Sequence, residues 1–141
     1  MSLIRQKPKI LSLYDKSYPV ASGVDFTNQQ GMAVEFAANI SSDEAQVTTA
    51  TTGANFAGIL KYPDASATTT PTQRAQVCRI GVTNGRSGAA FNAGVPLMIG
   101  DVYGRLIAWT SGNYIVAWSE EAATAADQMV AVEVFGHPTY K

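Results

Sequence analysis

Short apolar runs separated by turn residues constrain the fold of this chain more than any other feature. Seven such runs are bounded by Gly, Asn, Pro and Asp, and apolar residues at helical spacing are nearly absent. The runs lie at residues 32–36, 57–62, 75–82, 95–99, 105–109, 114–118 and 129–135. Short strands between turn signals are typical of an antiparallel sandwich or barrel. The sequence therefore predicts an all-β fold.

The last run shows the two-residue period of a strand whose two faces differ. Its residues alternate between the valines Val130, Val132 and Val134 and the set Met129, Ala131, Glu133 and Phe135. Successive side chains of a strand point to opposite faces of the sheet. We therefore expect the valines to face the core and the face with Glu133 to be partly hydrated.

Pairs of turn residues predict where the chain reverses. Asn84-Gly85 is typical of a type I′ turn, because both central residues of that turn need positive φ. Residues 111–113, Ser-Gly-Asn, separate two apolar runs and predict a hairpin between residues 105–109 and 114–118.

Residues 94–106, GVPLMIGDVYGRL, contain a Gly-Asp pair that a metal site, a catalytic site or a chain reversal would each explain. Glycine supplies unusual backbone angles in tight turns, and the Asp side chain accepts hydrogen bonds from nearby backbone amides. We predict that Gly94, Gly100, Asp101 and Gly104 form a structural turn.

The length of 141 residues fits one domain with a single core. Residues 1–22 contain Pro8 and Pro19, which argue against a continuous helix, and we assign them to an extended N-terminal arm. Residues 23–141 form the single β-rich domain. Within it, residues 63–73 are predicted to be an exposed loop, and residues 119–128 a loop or one short helical turn.

Charged residues make up only 15% of the chain, which favours an assembled state over a free monomer. Arg5, Lys7, Lys9 and Lys16 make the arm basic, but without interleaved aromatic residues they are a weak nucleic-acid signal, and the alternative is a solvated tail that keeps the protein soluble. No apolar run is long enough for a membrane span or a signal peptide. We expect no nucleic-acid or membrane partner.

Side chains for catalysis or metal binding are few. His137 is the only histidine and Cys78 the only cysteine, so neither a hydrolytic triad nor a zinc site is predicted, and no intramolecular disulfide can form. Cys78 lies in an apolar run and is predicted to be a small buried residue. The sequence predicts no catalytic residue, no cofactor and no metal, and we expect a protein that is not an enzyme.

Aromatic residues are the better functional lead. Trp109 and Trp118 lie in the two arms of the predicted hairpin, with Tyr103 and Tyr114 close by. Core packing, a subunit contact and a ligand-binding face are all compatible with these residues.

Four stretches in order carry a family resemblance: GVDFTNQQGMAVEF, FAGIL, VCRIGVTNGRSGAAFNAGVPLMIGDVYGRLIAW and the terminal VAVEVFG. Over residues 20–136 the chain resembles the bacteriophage capsid cement, or head decoration, proteins of small β-rich type. The resemblance implies a homotrimer with a small β-barrel or β-tulip core. It also implies a virion protein, made in the host cytoplasm, that binds the major capsid protein on the capsid exterior and stabilises the shell.

The resemblance further implies that the N-terminal arm reaches the capsid. If the arm adds a strand to a capsid subunit, we expect it to order only on binding. Because Pro8 interrupts the arm, the added strand is expected over residues 9–14. The capsid-binding residues of the arm are then Arg5, Lys7, Lys9, Ile10, Leu11, Leu13 and Tyr14. The alternatives are a carbohydrate-binding β-module that exposes Trp109 and Trp118 on one face, or another virion adhesion or tail component.

Overall fold

The computed structural model describes residues 11–26, 28–38, 44–63 and 74–141, with the side chains of residues 62 and 63 excepted. These residues form nine strands and no helix. The strands are β1 (Leu11–Pro19), β2 (Ala33–Phe36), β3 (Val47–Thr49), β4 (Phe56–Pro63), β5 (Arg74–Arg86), β6 (Pro96–Ile99), β7 (Leu106–Ala108), β8 (Tyr114–Ser119) and β9 (Met129–Tyr140). The predicted all-β fold is confirmed.

Each of the seven predicted apolar runs contains a strand, and two further strands were not predicted. The first, β1, lies inside the segment assigned to the arm. The second, β3, has only three residues, Val-Thr-Thr, which are too few to show a period. No helix forms over residues 119–128, so the loop alternative for that segment is correct.

The long strand β5 organises the sheet. The strand order is β3-β2-β4-β5-β9-β8-β6-β7, with β1 also paired to β5. β1 pairs with residues 74–82 of β5, while β4 pairs with residues 75–78 and β9 with residues 80–86. Because a residue pairs with one strand at each edge, β1 occupies one edge of β5, and β4 and β9 share the other.

The sheet curls into a half-barrel, a small barrel-like domain. Ala33 N donates to Gly104 O at 2.8 Å, which joins β2 to the turn before β7. Ser87, just after β5, forms a parallel bridge with Leu106 of β7. These contacts bring the start of β7 against β2 and the end of β5.

Buried side chains form two clusters because β2 and β4 are covered on both faces. In β2, neighbouring residues Ala33 and Val34 belong to different clusters, as do Ile59 and Leu60 in β4. The larger cluster, the barrel core, contains Ala33, Ala50, Phe56, Ile59, Phe91, Leu97, Ile99, Leu106, Val116, Ala117, Ala123, Val130, Val132 and Val134. The smaller cluster contains Tyr18, Val20, Phe26, Val34, Val47, Ala57, Leu60, Ala75 and Val77.

The predicted turn at Asn84-Gly85 is wrong, because both residues lie inside β5. Asn84 pairs with Ala131 and Gly85 with Val130 of β9. A Cβ atom at Gly85 would lie 2.9 Å from the side chains of Leu106 and Val132. The glycine therefore leaves space for core side chains and does not mark a reversal.

The predicted hairpin between residues 105–109 and 114–118 is also wrong. β6 lies between β7 and β8 and pairs antiparallel with both. The hairpin that does form joins β6 to β7 through the Gly100-Asp101 turn, where Gly100 N donates to Arg105 O at 2.8 Å. Ser111-Gly112-Asn113 is a turn, but the strands it connects are not adjacent.

Cys78 is buried, as predicted, and burial raises the pKa of its thiol. Residues 64–73, most of the predicted exposed loop, lie outside the described part of the chain. Among the residues that the structure describes, no helix is long and apolar enough to cross a membrane.

Candidate binding surface on the outer face of the sheet

One face of β5, β9, β8, β6 and β7 points away from the barrel core, and we call it the outer face. Val130, Val132 and Val134 of β9 point into the barrel core, as the alternating pattern predicted. Glu133 and Phe135 therefore lie on the outer face. The same alternation places Trp118 of β8 outside, next to buried Ala117.

A single row of opposed residues crosses the outer face from β1 to β7. Residues directly opposite each other in antiparallel strands have side chains on the same face. Trp109 extends the row because its backbone N donates to Pro96 O at 2.9 Å. In spatial order the row is Leu11, Val82, Glu133, Trp118, Pro96 and Trp109.

The β1 end of this face carries an apolar patch, which consists of Leu11, Tyr14, Ile80, Val82 and Phe135. Tyr14 is opposite Ile80, and Ile80 is opposite Phe135. Leu11, Phe135, Tyr14 and Ile80 are 56%, 50%, 44% and 41% exposed. At about 200 Å² for a large side chain, these fractions give on the order of 400 Å² of accessible apolar surface. Patches of this size on a monomer are often functional.

Trp118, Pro96 and Trp109 form the other end of the row, and we call them the Trp-Pro-Trp strip. Trp118 is 39% exposed, and the other two residues are partly exposed. The indole Nε1 of Trp109 donates to Asn113 O at 3.0 Å. The Asn113 side chain in turn donates to Thr110 O at 3.1 Å. The turn therefore holds the Trp109 ring in one orientation.

Two carboxyl groups lie beside the strip. Glu133 is opposite Trp118, and burial together with a hydrogen bond and charge repulsion from Glu120 raises the pKa of Glu133. Glu121 is held apart from this pair, because its Oε1 accepts from Ala131 N at 2.9 Å. The strip is thus bordered by one acidic pair.

The other two predicted aromatic residues are not part of this face. Tyr114 packs against the barrel core, and its ring makes an edge contact with Tyr140 at 5.0 Å between centroids. Tyr103 is exposed in the turn between β6 and β7.

The Gly-Asp turn between β6 and β7 contains Gly100, Asp101 and Gly104, whereas Gly94 lies in a separate turn before β6, so the four predicted residues do not form one turn. Asp101 Oδ1 accepts from Tyr103 N at 2.9 Å and from Arg105 N at 3.2 Å, and its other oxygen pairs with the Arg105 guanidinium. Burial alone would raise the pKa of Asp101, but the hydrogen bonds from Arg105 and the two amides hold it below its ordinary value. Both carboxylate oxygens of Asp101 are thus hydrogen-bonded within the turn.

Gly94, Gly100 and Gly104, the three glycines of the predicted turn, differ in what surrounds them. Gly104 has φ +90°, and a Cβ there would run into the carbonyl oxygen of Ala33. Gly94 has φ +75° with nothing within 4 Å of a Cβ, and a Cβ at Gly100 would meet the side chain of Ile107. Gly104 is therefore the position where the backbones of two elements meet.

The residues assigned to capsid binding divide into two groups. Arg5, Lys7, Lys9 and Ile10 lie outside the described residues. Leu11, Leu13 and Tyr14 are exposed on β1. They differ from the expected segment that orders only on binding, because β1 pairs with β5 of the same chain.

A polar cluster under β1 was not visible in the sequence. Lys61 Nζ donates to Asp15 Oδ2 at 2.9 Å and to Ser12 Oγ at 3.1 Å, and Ser12 Oγ lies 3.7 Å from Cys78 Sγ. Asp15 pairs with Cys78 in register, so the cluster spans β1, β5 and β4. The ion pair fixes β1 to the sheet.

No group of three or more His, Cys, Asp or Glu that could hold a metal occurs in the described ranges.

An apolar cleft of about 440 Å³ opens near the β6–β7 end and is lined by Ala90, Phe91, Asn92, Val95, Ala108, Ala122, Ala123 and Thr124. Comparison with protein-family models gave no match, and comparison with curated proteins gave no significant match.

Proposed function

We propose that this chain is a non-enzymatic virion structural protein that binds the outside of an assembled phage capsid as a trimer and stabilises the shell. The observation that carries the proposal is the apolar patch beside the edge strand β1. A standard protein interface buries about 800 Å² per partner, of which about 60% is apolar. The patch, on the order of 400 Å², is close to the apolar part of one such interface.

The backbone of strand β1 offers one edge to which a strand of a partner could be added, which supports the same proposal. Among the described strands, β1 pairs only with β5, so its other edge pairs with none of them. An unpaired strand edge is a template for an added strand, in which backbone hydrogen bonds give affinity and alternate side chains give specificity. The exposed residues Leu11, Leu13 and Tyr14 lie on this strand.

β1 and β5 pack closely at Gly81, and this contact bears on whether β1 leaves β5 when the protein binds the capsid. A Cβ at Gly81 would collide with Leu11 O and lie 2.6 Å from Leu13 N, so the two strands approach closely there. Together with the Lys61–Asp15 pair, this contact favours a β1 that stays on β5. The major capsid protein then docks on the patch and on the edge of β1 that pairs with none of the described strands.

Co-sedimentation with undecorated, expanded capsids tests the proposal. The full chain is expected to pellet with capsids, and Phe135→Ser is expected to bind at least tenfold more weakly, because it removes the half-exposed ring from the patch. The matched control is Val102→Ser, which replaces a more exposed apolar residue in the β6–β7 turn and is expected to bind normally.

Each outcome of the co-sedimentation experiment tests a different part of the proposal. No binding of the full chain would contradict the capsid function. Equal binding by Phe135→Ser and the full chain would contradict the patch as the contact surface. A loss with both serine variants would contradict a contact restricted to the patch.

A further inference from the structure

The Trp-Pro-Trp strip is a row of three rings whose length and flatness suit an extended, flat ligand. Pro96 is directly opposite Trp118 on one side and Trp109 on the other. Adjacent strands lie about 4.8 Å apart, so the two indoles are separated by roughly 10 Å with the proline ring between them. Three apolar rings in one row make a narrow platform about as long as a disaccharide.

The platform is held in place before any ligand binds. Trp109 already uses its indole N–H in the bond to Asn113 O, so its ring face and not its polar edge is left for contact. Pro96 has no backbone N–H and a fixed ring. A ligand that stacks on these rings therefore orders few side chains, which lowers the entropic cost of binding.

The carboxyl groups beside Trp118 distinguish a sugar from a protein partner. Burying Glu133 and Glu120 under an apolar protein surface would be unfavourable, because an unpaired buried charge is strongly destabilising. Sugar hydroxyls, in contrast, donate and accept hydrogen bonds, and the pair of carboxyl groups offers acceptor oxygens to them even when one proton is shared between Glu133 and Glu120. The C–H groups on the face of a pyranose ring also match the negative face of an indole.

We propose that the Trp-Pro-Trp strip binds a β-1,4-linked oligosaccharide, with pyranose rings stacked on Trp118 and Trp109 and hydroxyls donated to Glu133 and Glu120. The β-1,4 linkage follows from the straight row, since such chains are flat and extended whereas α-1,4-linked chains coil. This site is separate from the apolar patch, because Glu133 lies between the two in the row.

Tryptophan fluorescence titration of the full chain tests the site with three probes: cellohexaose, chitohexaose and the coiled maltohexaose. We expect saturable binding of at least one of the two β-1,4-linked probes and at least tenfold weaker binding of maltohexaose. Trp118→Ala is expected to weaken binding at least tenfold, and Glu133→Gln severalfold. The control is Tyr103→Ala, which removes a more exposed aromatic ring away from the strip.

Calorimetric titration of Trp118→Ala supplies a readout that does not depend on the lost fluorophore. Failure of both β-1,4-linked probes to bind at millimolar concentration would overturn the proposal, as would unchanged affinity in Trp118→Ala. Capsid co-sedimentation of Trp118→Ala is expected to remain normal, so a failure of the saccharide site is distinguishable from a failure of the capsid function.

Discussion

Replacing Gly104 with alanine is expected to weaken the barrel where β2 meets the turn before β7. Gly104 has φ +90°, and its carbonyl oxygen accepts from Ala33 N at 2.8 Å. An alanine at positive φ costs about 1 kcal/mol or more. The new Cβ would also push against Ala33 O and break that hydrogen bond, which adds about 0.5–1.5 kcal/mol. We therefore expect a loss of about 1.5–2.5 kcal/mol.

The assay is thermal unfolding followed by circular dichroism, with Gly94→Ala as the matched control. Gly94 also has positive φ, but nothing lies within 4 Å of its added Cβ, so only the backbone strain of about 1 kcal/mol applies. For a chain of this size, 1 kcal/mol lowers Tm by roughly 3 °C. We expect Tm to fall by about 5–8 °C in Gly104→Ala and by about 3 °C in Gly94→Ala. Equal shifts would refute the close contact with Ala33.

Three further outcomes are expected. Asp101→Asn keeps acceptors for the two amides but loses the ion pair with Arg105, so urea unfolding should show a loss below about 1 kcal/mol at pH 7. Because the pKa of Asp101 is lowered by folding, this loss should vanish as the pH falls below its folded-state pKa. The pKa of Glu133 is raised, so its ionisation destabilises the fold as pH rises, and Glu133→Gln should stabilise the protein at pH 7 but not at pH 3 in the same assay. Light scattering at micromolar concentration should give three times the chain mass of 14.9 kDa, and a monomer over a wide concentration range would contradict the trimer.

Much of the fold is predictable because its strands are short and their limits are coded locally. The alternation in residues 129–135 correctly assigns the valines to the core and Phe135 to the exposed face. Asn84-Gly85 misleads because a local turn signal is overridden by long-range pairing with β9 and by the space that Leu106 and Val132 need. β1 is missed because most of its side chains are exposed and its pairing has two irregularities.

The sequence shows individual residues of the candidate surface but not how they are arranged. Trp109 and Trp118 stand out in the sequence, but the strand between them, β6, comes earlier in the chain, so their spacing in sequence does not show that Pro96 separates them. The apolar patch depends on the registers of β1 with β5 and of β5 with β9. Register between distant strands is set by tertiary packing and not by neighbouring residues.

The stability of capsids with and without the bound protein tests the central claim most directly. Undecorated capsids that hold packaged DNA are incubated with the full chain at the lowest concentration that saturates them, or with Phe135→Ser at that same concentration. The temperature at which the packaged DNA becomes accessible to an intercalating dye is then measured. If the chain is a cement protein that acts through the apolar patch, capsids with the full chain should open at a higher temperature than undecorated capsids, and those treated with Phe135→Ser should not. The same opening temperature for capsids with the full chain bound and for undecorated capsids would contradict the account.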